Sequence, residues 1–284
     1  MVRRSVMFTP GDRPEMMETA PDAGADVVVF DLEDAVAPAR KAEAREAVRS
    51  VLTAASFEPD CEVCVRVNAS VQAARADLDA IVDETARLDG VMVPKAGSAD
   101  DVRDLAVKLD SRGRSVPILA IVESARGVLA ADEIAAVPET DALIFGAEDL
   151  AADVGASRTR KGTEVLYARQ RTVLAAAAHG CDAIDTLHTD FTDEEGLIED
   201  ARVSVQFGYD GKLAIHPAQV GPINEAFSPD AEQLEWAEAV LSEKRTADAD
   251  GRGVFEVDGE MIDAPLIARA ERILERAEAA GMRQ

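Results

Sequence analysis

Basic charge is in short supply in this chain. Thirty Lys and Arg face 55 Asp and Glu, a formal net charge of −25 over 284 residues. Such an acidic surface repels nucleic-acid phosphates and anionic membranes, which argues against both as partners. No apolar run approaches the ~20 residues of a membrane span. The opening M-V-R-R-S-V-M-F reads as a short strand without the apolar region of a signal peptide, so the expected compartment is the cytoplasm. Cysteine is limited to Cys61, Cys64 and Cys181. Cys61-x-x-Cys64 has no second pair and no nearby His, which argues against zinc. It lies in a strand-like run where positions three apart face opposite sides, and buried thiols are expected. Asn68-Ala69-Ser70 fits a glycosylation sequon, but nothing else points to secretion.

Lysine and aromatic residues are also sparse: six Lys against 24 Arg, and 4% aromatics. An acidic chain poor in both resembles proteins of a high-salt cytoplasm, where screening shortens the range of self-repulsion. A salt-adapted source is the expectation, with a merely acidic mesophilic enzyme as the alternative.

Short β-runs alternate with longer helical stretches. The strands read as Ser5–Thr9, Val27–Leu32, Glu62–Asn68, Val91–Pro94, Ile118–Val122, Ala142–Gly146, Ala183–Leu187 and Lys212–Ile215. Between them Lys41–Thr53, Gln72–Leu88, Asp100–Arg112 and Thr163–His179 carry Ala, Leu and Val at helical spacing, with acids and Arg opposite. Parallel strands need crossover helices, so the count predicts a (β/α)8 TIM barrel over residues 1–228. Pro21 should stop the first helix near Ala20. Residues 229–284 break the alternation: a helix over Asp230–Ala247, a hairpin-like piece over Asp250–Asp258, and a last helix from Ala264 to Ala280. This tail reads as a small C-terminal helical lid without a core of its own, packing on the barrel or on a neighbouring subunit.

In such a barrel, functional groups stand at the carboxyl ends of the strands. Reading those ends in order gives Arg13; then Asp31, Glu33 and Asp34 of F-D-L-E-D-A-V-A; then Arg66 and Asn68, Lys95, Glu123, Glu148 and Asp149, Asp185 and His188, and His216. Any one acid alone is equally a salt bridge or a helix cap; the convergence carries the signal. Glu123 and Asp149 follow neighbouring strands, so both carboxylates can meet one ion. Two carboxylates without an adjacent His suit Mg²⁺ or Mn²⁺, which retain water or substrate oxygens elsewhere in the shell. A 2-oxo acid can fill two such positions, and Arg66 can take its carboxylate with a bidentate fork. His216 reads as a hydrogen-bonded structural residue before an acid–base group, and His179 as a helix C-terminal dipole partner.

Several motifs then resemble the citrate lyase β-subunit-like family. They are R-S-V-M-F-T-P-G-D-R-P at Arg4–Pro14, V-V-F-D-L-E-D-A-V at Val28–Val36, V-R-V-N at Val65–Asn68, V-P-K at Val93–Lys95 and I-V-E-S-A-R-G at Ile121–Gly127. F-G-A-E-D-L at Phe145–Leu150, G-Y-D-G-K-L-A-I-H-P-A-Q-V at Gly208–Val220 and D-G-E-M-I-D-A-P at Asp258–Pro265 complete the series in order along essentially the whole chain. The resemblance implies a metal-dependent (β/α)8 barrel that is a homotrimer or hexamer and acts on a CoA thioester. It implies Mg²⁺ on Glu123 and Asp149, Arg66 on the substrate carboxylate, and Glu33 and Asp34 supporting the metal's water shell. It gives Asp263 the catalytic acid–base role, delivered by the lid of a neighbouring subunit, and makes Arg13 and Lys95 contacts for the CoA half. Pro21, where many relatives continue the first helix, and a lid shorter than that of some malyl-CoA lyases are departures.

The expected reaction is carbon–carbon cleavage of a malyl-CoA-type 3-hydroxyacyl-CoA to glyoxylate, or another 2-oxo acid, and an acyl-CoA. Hydrolysis of malyl-CoA to malate and CoA at the same site is the alternative. A further one is a subunit of a citrate lyase complex acting on an acyl-carrier-protein thioester.

Overall fold

The computed structural model describes residues 2–249 and 251–282. Eight parallel strands, β1 (Ser5–Pro10), β2 (Val27–Asp31), β3 (Glu62–Arg66), β4 (Gly90–Val93), β5 (Ile118–Val122), β6 (Thr140–Phe145), β7 (Asp182–Asp185) and β8 (Gly211–Ala214), close in chain order into a barrel. β1 pairs with β2 on one side and with β8 on the other, which completes the ring. Period-two alternation sorts the side chains. Val27, Val29, Cys64, Met92, Leu119, Ile121, Ile144, Ile184 and Leu213 fill the interior. The alternate residues Val28, Phe30, Val63 and Val65 are as fully buried on the other face of their strands. Cys61, Cys64 and Cys181 are free thiols; Cys64 is wholly buried and Cys61 half-buried.

The crossovers are α1 (Pro14–Thr19), α2 (Lys41–Leu52), α3 (Val71–Ile81), α4 (Ala99–Asp110), α5 (Ala125–Ala135), α6 (Ala147–Val154), α7 (Leu166–His179) and α8 (Glu194–Phe207), followed by α9 (Val220–Phe227). α1 ends ahead of Pro21, which sits in a 3₁₀ turn over Ala20–Ala23. α3 is shorter than its sequence pattern. The Asp83 side chain takes hydrogen bonds from the Thr85 amide and hydroxyl, and this local turn replaces another helical turn. α6 has no counterpart in the sequence reading, which left Glu148 and Asp149 on a strand end; both stand in its first turn. Acids there complement the helix dipole.

The two units of the chain are Arg3–Asn224 and a second comprising Val2 and the residues from Glu225 on. In the second, α10 (Ala231–Ala249) and α11 (Ala264–Ala279) flank a hairpin of β9 (Phe255–Val257) and β10 (Glu260–Ile262). The hairpin lies later than the sequence reading placed it, and residue 250, where that reading began, is outside the described residues. Its turn is Asp258-Gly259, both at positive φ, the chemistry a tight hairpin requires. The expectation of a tail without a core is corrected: Ala237, Val240, Ala247, Phe255, Val257, Ile262 and Ala270 form a buried cluster within this unit. The hairpin supplies the apolar cover that the two helices lack alone.

At the β7 end, Asp185 is wholly buried but does not face the barrel interior. Ile184 points inward, so strand alternation turns Asp185 out towards the helices. There it takes hydrogen bonds from Arg169 and Ser204, while the fully buried Lys212 donates to Asp200 at 2.6 Å and to the Thr186 carbonyl at 2.8 Å. Burial works against the Arg169 charge, but Asp185 and Asp200 outweigh it and hold the group above its ordinary range. The sequence expectation of Asp185 at the barrel mouth is therefore replaced by an interlayer lock joining α7, β7, α8 and β8. Asp185→Ala leaves the buried Arg169 and Lys212 to share the single carboxylate of Asp200 and should lower the unfolding free energy by about 3–5 kcal/mol in urea titration; a loss below about 1 kcal/mol would contradict the lock.

Candidate active site at the barrel mouth

The site is built from the ends of β1 to β7 and begins at Asp31. Its carboxylate is wholly buried and takes four hydrogen bonds. The Glu33 and Ala35 amides donate at 2.8 and 2.9 Å, folding D-L-E-D-A into a turn. Arg66, the register partner of Asp31 on β3, donates from Nε at 2.7 Å and from Nη2 at 2.6 Å. Lys41 clamps the same turn by donating to the Leu32 and Glu33 carbonyls at 2.7 and 2.5 Å. The Arg66 guanidinium lies over the Phe8 ring, 4.6 Å from its centroid. Burial opposes its charge, but the Asp31 hydrogen bonds and nearby carboxylates outweigh that and hold Arg66 above its ordinary range.

The sequence reading offered Arg66's fork to substrate without a partner in the protein. In the structure its side-on edge belongs to Asp31, and Nη1 approaches Glu33 Oε2 at 3.2 Å. That Glu33 oxygen is buried and makes no hydrogen bond, whereas Oε1 accepts one from Lys95 Nζ at 2.9 Å. Burial leads in raising Glu33's pKa, with Arg66 and Lys95 pulling the other way. Asp34 is largely exposed, about 4 Å from both cations.

Lys95 follows β4 and adopts φ 52°, a left-handed conformation that costs a non-glycine residue energy. This turns its amide onto Glu123 Oε1 at 2.8 Å. Burial opposes the Lys95 charge, but the Glu33 hydrogen bond and surrounding acids outweigh it and raise the ammonium pKa. Glu123 is almost wholly buried. Its pKa is pushed up to about 7, chiefly by burial, with the charges of Asp149 and Glu33 adding to it against the Lys95 amide and Arg66. Gly146 makes room: a Cβ there would stand 2.5 Å from Glu123 Cβ and 2.6 Å from Oε2. It also caps α6, which carries Asp149. Asp149 is exposed and makes no hydrogen bond with the described residues, so its oxygens are free.

These groups open on a cavity of about 230 Å³ lined by Asp31, Asp34, Arg66, Glu123 and Asp149 and floored by apolar side chains such as Phe8. Glu123 and Asp149 both line it, and the charge of Asp149 acts on Glu123. No cluster of three or more His, Cys, Asp or Glu suited to a metal occurs among the described residues. The remaining positions around an ion there would come from water or substrate oxygen, which fits a hard ion of the Mg²⁺ type.

Other expected residues fall elsewhere. Arg13 is exposed, with only a 3.7 Å approach to Asp12. Glu148 also lines the cavity but is paired with Arg158 at 2.8 Å, and Asn68 is held by buried Asp77. His216 Nδ1 accepts from the Ala218 amide while its ring stacks on Phe191, the structural role read for it. His179 pairs with Asp132 at 3.2 Å. His188 Nε2 is buried without a hydrogen bond. Asp263 belongs to the second unit, where it caps α11 and accepts from the Leu266 amide at 3.5 Å. Sequence reading missed the roles of Asp31, Lys41 and Thr186; the last accepts the Ala147 amide at 3.1 Å and so fixes the start of α6.

Fold and site together define an enzyme of the aldolase class of TIM barrels. The profile of the HpcH/HpaI aldolase/citrate lyase family matches residues 4–217, and the chain belongs to that family. A second profile, the C–C bond lyases of the TIM-barrel fold, matches residues 164–282. The citrate lyase subunit beta-like protein of Deinococcus radiodurans is 40% identical, over 95% of this chain and 96% of that protein. The mitochondrial citramalyl-CoA lyase of Mus musculus is 33% identical (96% and 85%), and the (3S)-malyl-CoA thioesterase of Cereibacter sphaeroides 36% identical (97% and 95%). The crystal structure of CitE from Mycobacterium tuberculosis with magnesium, acetoacetate and coenzyme A superposes with a TM-score of 0.82 at 38% identity, covering 98% of both chains.

Glu123 fixes a pH dependence. Its folded pKa, about 7, lies above its ordinary 4.5, so between these values the folded state holds a proton that the unfolded state has lost. Its contribution to cation-free stability therefore falls as pH rises from about 4.5 to about 7, by on the order of 3 kcal/mol. Glu123→Gln should lack this component when unfolding is followed across that range; parallel profiles for the two proteins would refute it.

Proposed function

We propose that this protein is a Mg²⁺-dependent carbon–carbon lyase that cleaves a malyl-CoA-type 3-hydroxyacyl-CoA into a 2-oxo acid and an acyl-CoA. The observation that carries the reading is the meeting of Glu123, Asp149 and Arg66 around one cavity. Glu123 and Asp149 would hold the ion, which when bound withdraws charge from the oxygens of the oxo-acid half. Arg66 pairs with the terminal carboxylate of the substrate through the guanidinium end that Asp31 leaves free. Glu33 and Asp34 accept from water around the ion. The substrate hydroxyl passes its proton to water, the adjacent carbon–carbon bond breaks as the oxo-acid carbonyl forms, and its electron pair becomes the enolate of the acyl-CoA. Asp263 returns a proton to that carbon, and in synthesis removes it. We assign Asp263's delivery to the lid of a neighbouring subunit in a homotrimer or hexamer, and the CoA half to Arg13 and Lys95.

A second reading is hydrolysis of malyl-CoA, favoured by the 36% identical thioesterase and compatible with water access under a short lid. A third is action on an acyl-carrier-protein thioester, favoured by the 40% identical citrate lyase subunit beta-like protein; co-purification with a small carrier protein would support it. Incubation with malyl-CoA and Mg²⁺ separates them. Glyoxylate with acetyl-CoA identifies the lyase, and malate with free CoA the thioesterase. Glu123→Ala and Asp149→Ala should each abolish turnover, as should a chelator; activity surviving all three treatments would overturn the metal assignment.

No helix among the described residues is long and apolar enough to cross a membrane. We place the enzyme in a cytoplasm of high salt, a reading supported by the net charge of −25 and the six lysines. Its unfolding midpoint should then rise between dilute buffer and molar salt, as screening weakens acid–acid repulsion; a flat or falling midpoint would point to a merely acidic mesophilic enzyme.

A further inference from the structure

We propose that Asp31 is the positioning residue of the site, setting the direction from which Arg66 meets the substrate carboxylate. The inference rests on the reading of Arg66 as the carboxylate-binding group. Each Asp31 oxygen accepts one guanidinium N–H and one main-chain N–H: Oδ1 from Arg66 Nε and the Glu33 amide, Oδ2 from Arg66 Nη2 and the Ala35 amide. A guanidinium has five N–H bonds in a plane. Asp31 takes the side-on pair, which leaves the Nη1 hydrogens and one on Nη2 directed away from it. That far pair, which Glu33 Oε2 approaches to 3.2 Å at Nη1 without a hydrogen bond, is the edge able to grip a second carboxylate with two parallel bonds.

The face of the guanidinium is fixed as well, by the Phe8 ring 4.6 Å away. With one edge and one face immobilised, the plane and heading of Arg66 are determined before substrate arrives. The same carboxylate holds the Glu33 and Ala35 amides, whereas Glu123 and Asp149 are placed independently of it, from β5 and α6. Both Asp31 oxygens are taken up by these four donors, so Asp31, although it borders the cavity, acts through Arg66.

Only a carboxylate satisfies all four donors. An asparagine at 31 has a single acceptor oxygen. Whichever way its amide is turned, its NH₂ faces one guanidinium N–H and one main-chain N–H. Shape is kept and the anchor is lost, which makes Asp31→Asn the informative variant.

The test is a cycle of wild type, Asp31→Asn, Arg66→Lys and the double variant, with glyoxylate binding measured calorimetrically in Mg²⁺ and Mg²⁺ binding measured alone. Asp31→Asn should weaken glyoxylate binding by about tenfold to a hundredfold, the range for a hydrogen-bonded charge. Mg²⁺ binding should stay within about twofold, and in the Arg66→Lys background the Asp31 change should add no more than about twofold. Equal losses in both backgrounds, or parallel losses of glyoxylate and Mg²⁺, would reduce Asp31 to a structural residue and overturn the proposal. Hydrogen exchange of the Arg66 Nε–H, assigned by its absence in Arg66→Lys, gives a readout independent of ligand and of any Asp31 variant. Slow exchange in the wild type upholds the anchor, and exchange at the free-solvent rate overturns it. If wild type binds no glyoxylate while this exchange is slow, the lyase reading fails and the anchor stands.

Discussion

Closure of a parallel barrel in strict strand order is the constraint on which the rest depends. Because β8 returns to pair with β1, every strand presents its carboxyl end to one rim. Side chains far apart in sequence are thereby held a few ångströms apart. Glu33 and Lys95 are 62 positions apart along the chain and 2.9 Å apart in space. The apolar interior fixes which residues point in and which point out, and the charged rim inherits its geometry from that packing.

Scarcity of cations then shapes how the rim is wired. Acids outnumber bases heavily in this chain, and at the mouth Arg66 and Lys95 meet carboxylates while Lys41 is turned onto main-chain carbonyls. Each of these cations serves more than one acceptor. Glu123 and Asp149, like the buried Glu33 Oε2, are left without a full complement of partners. The imbalance favours an added cation, because the protein has not neutralised the pair itself.

Much of the fold was legible because the alternation of β-runs and amphipathic stretches is regular, and strand ends carry polar residues one after another. Arg66, Glu123 and Asp149 could be read from those ends and all three line one cavity, to which Lys95 is tied through Glu123 and Glu33. What could not be read depends on register and parity. That Asp31 is the partner of Arg66 follows from the pairing of β2 with β3, which neither segment encodes alone. Asp185 was misplaced because a one-residue change of parity sends a strand-end acid into the helical layer. α6 escaped because eight residues directly after a strand give too short a period to recognise. The core of the second unit escaped because its hairpin, Phe255–Val257 with Glu260–Ile262, looks too brief to cover two helices.

The lysine economy of the chain has a chemical consequence. Of six lysines, Lys212 is sealed in the interlayer lock, Lys41 is turned onto main-chain carbonyls, and Lys95 is partly exposed beside Glu33. An amine-acylating reagent therefore meets few competing targets, and a labelled fraction at Lys95 can be read with little background. Acylation requires the free amine, and the salt bridge to Glu33 keeps this one protonated. The labelling rate at Lys95 thus gauges the charge on Glu33, making a sparse residue a built-in reporter of the acid beside it.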